Sequence, residues 1–167
     1  MDKQSETQYD YFGSNGFTRR IVICGSMGFY QEMEKVKQEL LSQKIPCIIP
    51  ENEVYEKNHL SPEQFEIFKR NVSFMYIKKI RNPETFGILV LNNDKHDIPS
   101  YVGPNTFAEI AIAFAQSKKI YLYTGIPDMY EDELSAWGAI PLQCSLQPLV
   151  KDYKAVVSLS KSQLALF

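Results

Sequence analysis

The sequence predicts an α/β domain with a parallel five-stranded sheet that binds its ligand at the carboxyl ends of the strands. Short apolar runs of strand length alternate with longer segments of helical periodicity, the pattern of parallel strands joined by right-handed crossovers. The 167 residues, 44% hydrophobic and 23% charged, suffice for one ordinary globular core. Breaker-rich loops follow the first and third runs, where such a sheet opens its crevice.

Residues 1–18 are polar and broken by Gly13 and Gly16, which predicts a flexible N-terminal tail ahead of a single domain over residues 19–167. Arg20-Ile21-Val22-Ile23-Cys24, closed by Gly25, reads as a strand buried on both faces. Met33, Val36 and Leu40 form the stripe of a helix over about 29–43. Ile45-Pro46-Cys47-Ile48-Ile49 is a second strand, and its proline suggests a sheet edge. Residues 50–60 read as a loop. Ser61-Pro62 then opens a helix to about residue 80, with a cap and a proline at its first position. Its stripe is Phe65, Phe68, Val72, Met75 or Tyr76, and Ile80; Ile67, Phe74 and Ile77 widen the apolar surface, which predicts extra core or a subunit contact.

Phe86-Gly87-Ile88-Leu89-Val90-Leu91 is the clearest buried strand, followed by a loop over 92–103 and a small-residue helix over 106–116, capped by Asn105 or a neighbour. Lys119-Ile120-Tyr121-Leu122-Tyr123 is a fourth strand. Asp128-Met129-Tyr130-Glu131 has the side chains of a capping box and opens a short acidic helix through Trp137. Ala139-Ile140-Pro141-Leu142 is a fifth, edge strand, and the remainder is weakly patterned. Five strands in this pattern predict a flavodoxin-like, Rossmann-like three-layer sandwich ordered 2-1-3-4-5, with its switch point between strands one and three.

A net charge of −2 leaves no basic footprint for a nucleic-acid polymer. No run reaches secretory or membrane-spanning length, so no membrane partner is expected. Cys24, Cys47 and Cys144 are odd in number and widely spaced, which fits neither a disulfide framework nor zinc and suits the cytoplasm. His59 and His96 lack metal-ligand spacing, so no metal site is expected. Nor is a cofactor: the first loop lacks the Ser/Thr-rich run expected around a flavin phosphate.

Gly25-Ser26-Met27-Gly28 joins a strand to a helix N-terminus, where free amides favour a phosphate, carboxylate or sugar oxygen; two glycines in a tight turn are also ordinary turn chemistry. Glu109 is the only charged residue between Asp97 and Lys118, on a helix otherwise small and apolar. Its plain reading is a carboxylate favoured near a helix N-terminus. The functional reading is a carboxylate facing a cleft, since burial without a partner is expensive. Asp94 ends the loop run Asn92-Asn93-Asp94 and reads as an acid or as turn chemistry. Cys24 precedes a helix N-terminus, which would lower its pKa, yet no histidine is near and strand-end cysteines are commonly core. Lys118-Lys119 reads as a solvated helix end.

Ile21-Val22-Ile23-Cys24-Gly25-Ser26-Met27, Leu91-Asn92-Asn93-Asp94-Lys95, and Gly103-Pro104-Asn105-Thr106-Phe107-Ala108-Glu109-Ile110-Ala111 followed by Lys119-Ile120 resemble the nucleoside 2-deoxyribosyltransferase-like superfamily. That superfamily includes 2'-deoxynucleoside 5'-monophosphate N-glycosidases. The resemblance spans roughly residues 20–142. It implies Glu109 as nucleophile and a sugar-contacting turn at Gly25, Ser26 and Met27, with Asn92, Gly103 and Asn105 also at the substrate. Attack of a carboxylate on the anomeric carbon gives a ribosyl ester and expels the base through an oxocarbenium-like transition state. Asp94 is the expected acid for the departing base, with Asp97 second. The ligand is then a nucleoside or nucleotide, and the chain a homodimer or higher homo-oligomer whose subunits complete each other's sites.

The sequence departs from the superfamily at three places. Val22 stands where members with established activity carry a strand tyrosine. Met75-Tyr76-Ile77-Lys78-Lys79-Ile80 supplies no helix aspartate, and Met27-Gly28-Phe29 replaces the arginine-bearing first loop of the monophosphate glycosidases. Tyr30, Tyr76 and Tyr101 are the phenols available as substitutes. These departures keep a second expectation open: a nucleotide-binding or sensing module with the same crevice and no turnover.

Overall fold

The computed structural model describes residues 19–52 and 58–164; the expected tail over residues 1–18 lies outside them. Strands β1 (Arg20–Gly25), β2 (Cys47–Ile48), β3 (Thr85–Leu91), β4 (Lys119–Leu122) and β5 (Ile140–Pro141) form one parallel sheet ordered β2-β1-β3-β4-β5. It is the Rossmann-like order expected, with the switch point between β1 and β3. Helices α1 (Tyr30–Ser42), α2 (Pro62–Arg81), α3 (Pro104–Ala115), α4 (Glu131–Ala136) and α5 (Gln147–Leu164) cover it.

Strand alternation divides the core into two layers. Ile21 and Ile23 of β1, Leu89 and Leu91 of β3, and Tyr121 of β4 face α1 and α5, packing on Met33, Val36, Leu40, Leu149, Val150 and Tyr153. Val22, Cys24, Ile88, Val90, Ile120 and Leu122 face the other way, onto Tyr76, Ile80, Ile110, Ala113 and Leu134 of α2, α3 and α4. All seven residues of β3 are buried, as a central parallel strand requires. Gly87 is where β4 comes closest: a Cβ there would stand 2.6 Å from the Lys119 carbonyl oxygen.

Ser61 caps α2 with a complete capping box, its hydroxyl accepting from the Gln64 amide at 3.3 Å while Gln64 accepts from the Ser61 amide at 3.0 Å. Of the α2 stripe only Tyr76 and Ile80 are buried. Phe65, Phe68 and Val72 are half-buried, and Ile67, Phe74 and Met75 are exposed.

Four expectations need correction. Strand β2 is two residues, because Pro46 has no amide to extend the ladder and its carbonyl alone accepts, from Ile21 N–H. Gly103 rather than Asn105 is the N-cap of α3: Pro104 takes the first helical position, where a missing amide is harmless, so Asn105 lies inside the first turn. Asp128 forms no capping box, since the Glu131 amide donates to the Asp128 carbonyl in a 3-10 turn (Asp128–Tyr130) ahead of α4. The segment read as weakly patterned is the 18-residue α5, whose Leu149, Val150 and Tyr153 seat on the sheet at i, i+1 and i+4, with Val156 and Val157 following.

Candidate functional site

β1 ends at Gly25 with φ +153°, tight against β3: a Cβ would stand 2.7 Å from the Leu91 carbonyl oxygen. The chain then turns through Ser26 into a 3-10 turn (Met27–Phe29), with the Ser26 hydroxyl accepting from the Gly28 amide at 3.3 Å and its carbonyl accepting from Phe29 N–H at 2.9 Å. This turn is one wall of a cavity of about 200 Å³ at the switch point.

The second wall is the start of α3 with the loop before it: Tyr101, Gly103, Pro104, Asn105 and Thr106, then Glu109 in the second helical turn. The third is α2, which presents Lys69, Val72, Ser73 and Tyr76 on one face, at spacings of three, four and seven. Pro50, after β2, completes it.

Six of the eight expected site residues therefore meet in one cavity: Gly25, Ser26, Met27, Gly103, Asn105 and Glu109. The other two do not line it. Asn92 is fully buried beneath the loops. Its amide group donates to the Gly125 carbonyl at 2.8 Å, and its oxygen accepts from the Thr124 amide at 3.0 Å, tying the end of β3 to the segment after β4. Asp94 is exposed and accepts the Ser100 amide at 3.0 Å, a loop-closing role. Among the described residues lining the cavity, Glu109 is the only carboxylate.

Two buried groups converge with Glu109. The Tyr76 hydroxyl reaches across from α2 and donates to the Ile23 carbonyl of β1. Burial, then the neighbouring acidic groups of Cys24 and Glu109, push this phenol well above its ordinary range. Cys24 has no exposed surface, and its thiol is likewise pushed well up, first by burial, then by the Glu109 charge and a hydrogen bond to that side chain. A thiol so held stays protonated at neutral pH, which removes the nucleophile reading of Cys24.

At the rim, Lys95 and Ile98 exchange backbone hydrogen bonds of 3.1 and 2.9 Å around His96 and Asp97, both at positive φ (53° and 57°). Two successive left-handed residues make a tight two-residue reversal. The Lys95 ammonium returns across the switch point to donate to the Ser26 hydroxyl at 2.6 Å, lying 5.6 Å from the Tyr101 ring centre and 5.9 Å from that of Phe29.

Lys69, Ser73 and Lys95 were not among the expected site residues. The signal for the first two was present, since both interrupt the apolar surface of α2 at helical spacing beside Val72 and Tyr76. Lys95 carried none, because its position depends on the reversal at His96-Asp97. Among the described residues, no group of three or more His, Cys, Asp or Glu side chains is arranged to hold a metal ion, and no helix is long and apolar enough to cross a membrane.

Fold and site together define a Rossmann-like α/β domain with a small cavity at its switch point. The chain matches no family model, no curated protein and no solved structure.

Proposed function

We propose that this protein cleaves or transfers the N-glycosidic bond of a nucleoside or nucleotide, with Glu109 as nucleophile. The observation that carries the reading is the cavity itself: its one carboxylate among the described lining residues faces the Gly25–Met27 turn across the switch point. One carboxylate oxygen attacks C1' of the sugar. The C1'–N bond breaks, its electron pair stays on the base nitrogen, and that nitrogen takes up a proton from solvent. Water or a second base, giving up a proton to solvent, then attacks C1' and displaces the carboxylate, releasing the free sugar or a new nucleoside respectively. A cavity of about 200 Å³ takes a pentose and leaves the base and any 5' substituent at the rim. The Lys95 ammonium beside Ser26 favours an anionic substituent there, hence a nucleotide.

Supporting assignments follow from the surface. Exposed Ile67, Phe74 and Met75 on α2 suit a homodimer or higher oligomer, and three free cysteines suit the cytoplasm.

A second reading, a nucleotide-binding module without turnover, is favoured by one specific observation. Asp94 is held by the Ser100 amide outside the cavity, so it does not supply the acid for the departing base.

The test is base release from 2'-deoxynucleosides and their 5'-monophosphates, followed chromatographically for the unmodified protein and Glu109→Gln. The expected result is release that Glu109→Gln reduces at least ~10³-fold in kcat with binding retained, and a 2-fluoro sugar adduct on Glu109. Ligand-induced thermal shifts with no free base would establish the binding module instead. Full activity in Glu109→Gln would remove Glu109 as nucleophile.

A further inference from the structure

We infer that Lys95 and Ser26 form an anion subsite at the cavity rim that takes a phosphate monoester, and that Lys95 sets the preference for a phosphorylated ligand over the unphosphorylated one. The inference rests on the reading of the cavity as a nucleoside or nucleotide site and adds the residues that recognise the phosphate.

The Ser26 hydroxyl is at its limit as an acceptor. The Lys95 ammonium, which can only donate, reaches its oxygen at 2.6 Å, and the Gly28 amide donates to the same oxygen at 3.3 Å. With both lone pairs engaged, the hydroxyl has only its proton left to offer, and no acceptor for it stands among the described residues. Ser26 lines the cavity, so a ligand there can take that proton in a hydrogen bond. Lys95 is in the same condition. One of its N–H bonds goes to Ser26, and no carboxylate or carbonyl among the described residues accepts the others. The neighbouring Asp94 carboxylate is turned away, to the Ser100 amide at 3.0 Å.

Two adjacent side chains therefore offer donors, a positive charge and no free acceptor. The group that matches them carries acceptors only and is negative. A phosphate monoester ends in three acceptor oxygens with a charge of about −1.5 to −2 at neutral pH, against two oxygens and a single charge for a carboxylate. Charge also fixes which end of the cavity it takes. Glu109, the only carboxylate among the described lining residues, repels an anion from its own end and leaves the Lys95 end.

Several features hold the ammonium in place before any ligand arrives. The paired backbone hydrogen bonds of Lys95 and Ile98 close the reversal that returns the side chain across the switch point. The Phe29 and Tyr101 rings, 5.9 and 5.6 Å away at their centres, attract the cation. Gly28 leaves the room: a Cβ there would stand 3.2 Å from Nζ and 3.7 Å from the Ser26 hydroxyl oxygen, so any larger residue crowds the subsite. Little ordering is left for the ligand to impose, which favours affinity.

The test is titration calorimetry with 2'-deoxynucleosides of the common bases, their 5'-monophosphates and inorganic phosphate, in the Glu109→Gln protein so that nothing is turned over. A monophosphate should bind more tightly than its nucleoside, and Lys95→Met should shrink that preference ~10–100-fold, the weight of a hydrogen bond to a charged group. Lys95→Arg, which keeps the charge, should retain most of it. Added salt should weaken monophosphate binding with Lys95 present and much less in Lys95→Met. A preference that is absent, or that survives Lys95→Met intact, overturns the inference, as does binding of neither nucleotide nor inorganic phosphate. Should Lys95→Met not fold, Lys95→Gln takes its place under the same criteria. Lys95-dependent monophosphate binding with no base released by the unmodified protein would defeat the glycosidic reading alone. Lys95-dependent binding of inorganic phosphate without any nucleotide would keep the subsite and remove the nucleotide reading. Base release with a preference indifferent to Lys95 would defeat the subsite alone.

Discussion

Replacing Gly25 by alanine tests how the switch-point cavity is built. Two penalties meet at this position. Its φ of +153° lies where a residue with a Cβ is strained, at about 1–3 kcal/mol. The new Cβ would also stand 2.7 Å from the Leu91 carbonyl oxygen and 2.9 Å from the Met33 Cε. The methionine end can swing away, but the Leu91 oxygen belongs to central β3 and cannot. Relief must come from separating β1 and β3 at their paired ends, Gly25 and Leu91, and such overpacking costs a further ~1–3 kcal/mol. The sum, about 2–6 kcal/mol, corresponds to a fall in melting temperature of roughly 5–20 °C for a domain of this size. Urea unfolding monitored by circular dichroism measures it. Gly87→Ala is the control, since it meets the Lys119 carbonyl oxygen at 2.6 Å without the φ penalty and isolates the steric part. A Gly25→Ala protein within ~0.5 kcal/mol of the unmodified one would refute this account of the turn.

Asn92→Ala should destabilise by about 2–4 kcal/mol, because it strands the Thr124 amide and the Gly125 carbonyl; hydrogen exchange at Thr124 should accelerate with it. In the folded protein, exposed Cys144 should react first with a thiol reagent at pH 8, and Cys24 only on unfolding. Burial outweighs the nearby Lys37 charge and pushes the Cys47 thiol up to about 12 from 9.0, making the folded state the weaker acid there. Stability from this group is complete below pH 9 and is lost as pH rises toward 12, which melting curves taken across that range would show. Phe74→Glu with Met75→Glu should shift the protein to a smaller species in light scattering if α2 is the subunit contact; an unchanged mass in an oligomeric protein would move the contact elsewhere.

What the sequence by itself determined is the part set by local periodicity. The runs at Ile21–Cys24 and Phe86–Leu91, the stripe Met33-Val36-Leu40 and the start Ser61-Pro62 each point to one element, and the alternation of such elements leaves few topologies for a parallel sheet. From that order came the switch point, and with it the meeting of the Gly25 turn and Glu109. Even α5 left a trace in Leu149, Val150 and Tyr153, masked by a neighbourhood of serine and lysine that packing overrides. Only the tertiary structure decided which polar groups share the cavity. Asn92 and Asp94 begin the loop whose far end, Tyr101 and Gly103, reaches the site, yet hydrogen bonds to Thr124, Gly125 and Ser100 hold both out of it. Lys69, Ser73 and Tyr76 come from a helix that looked apolar, and Cys24 meets Glu109 across 85 residues of chain. Side-chain partners at such separations depend on the angles at which helices cross the sheet, and those are set by the packing of the whole core rather than by any local pattern.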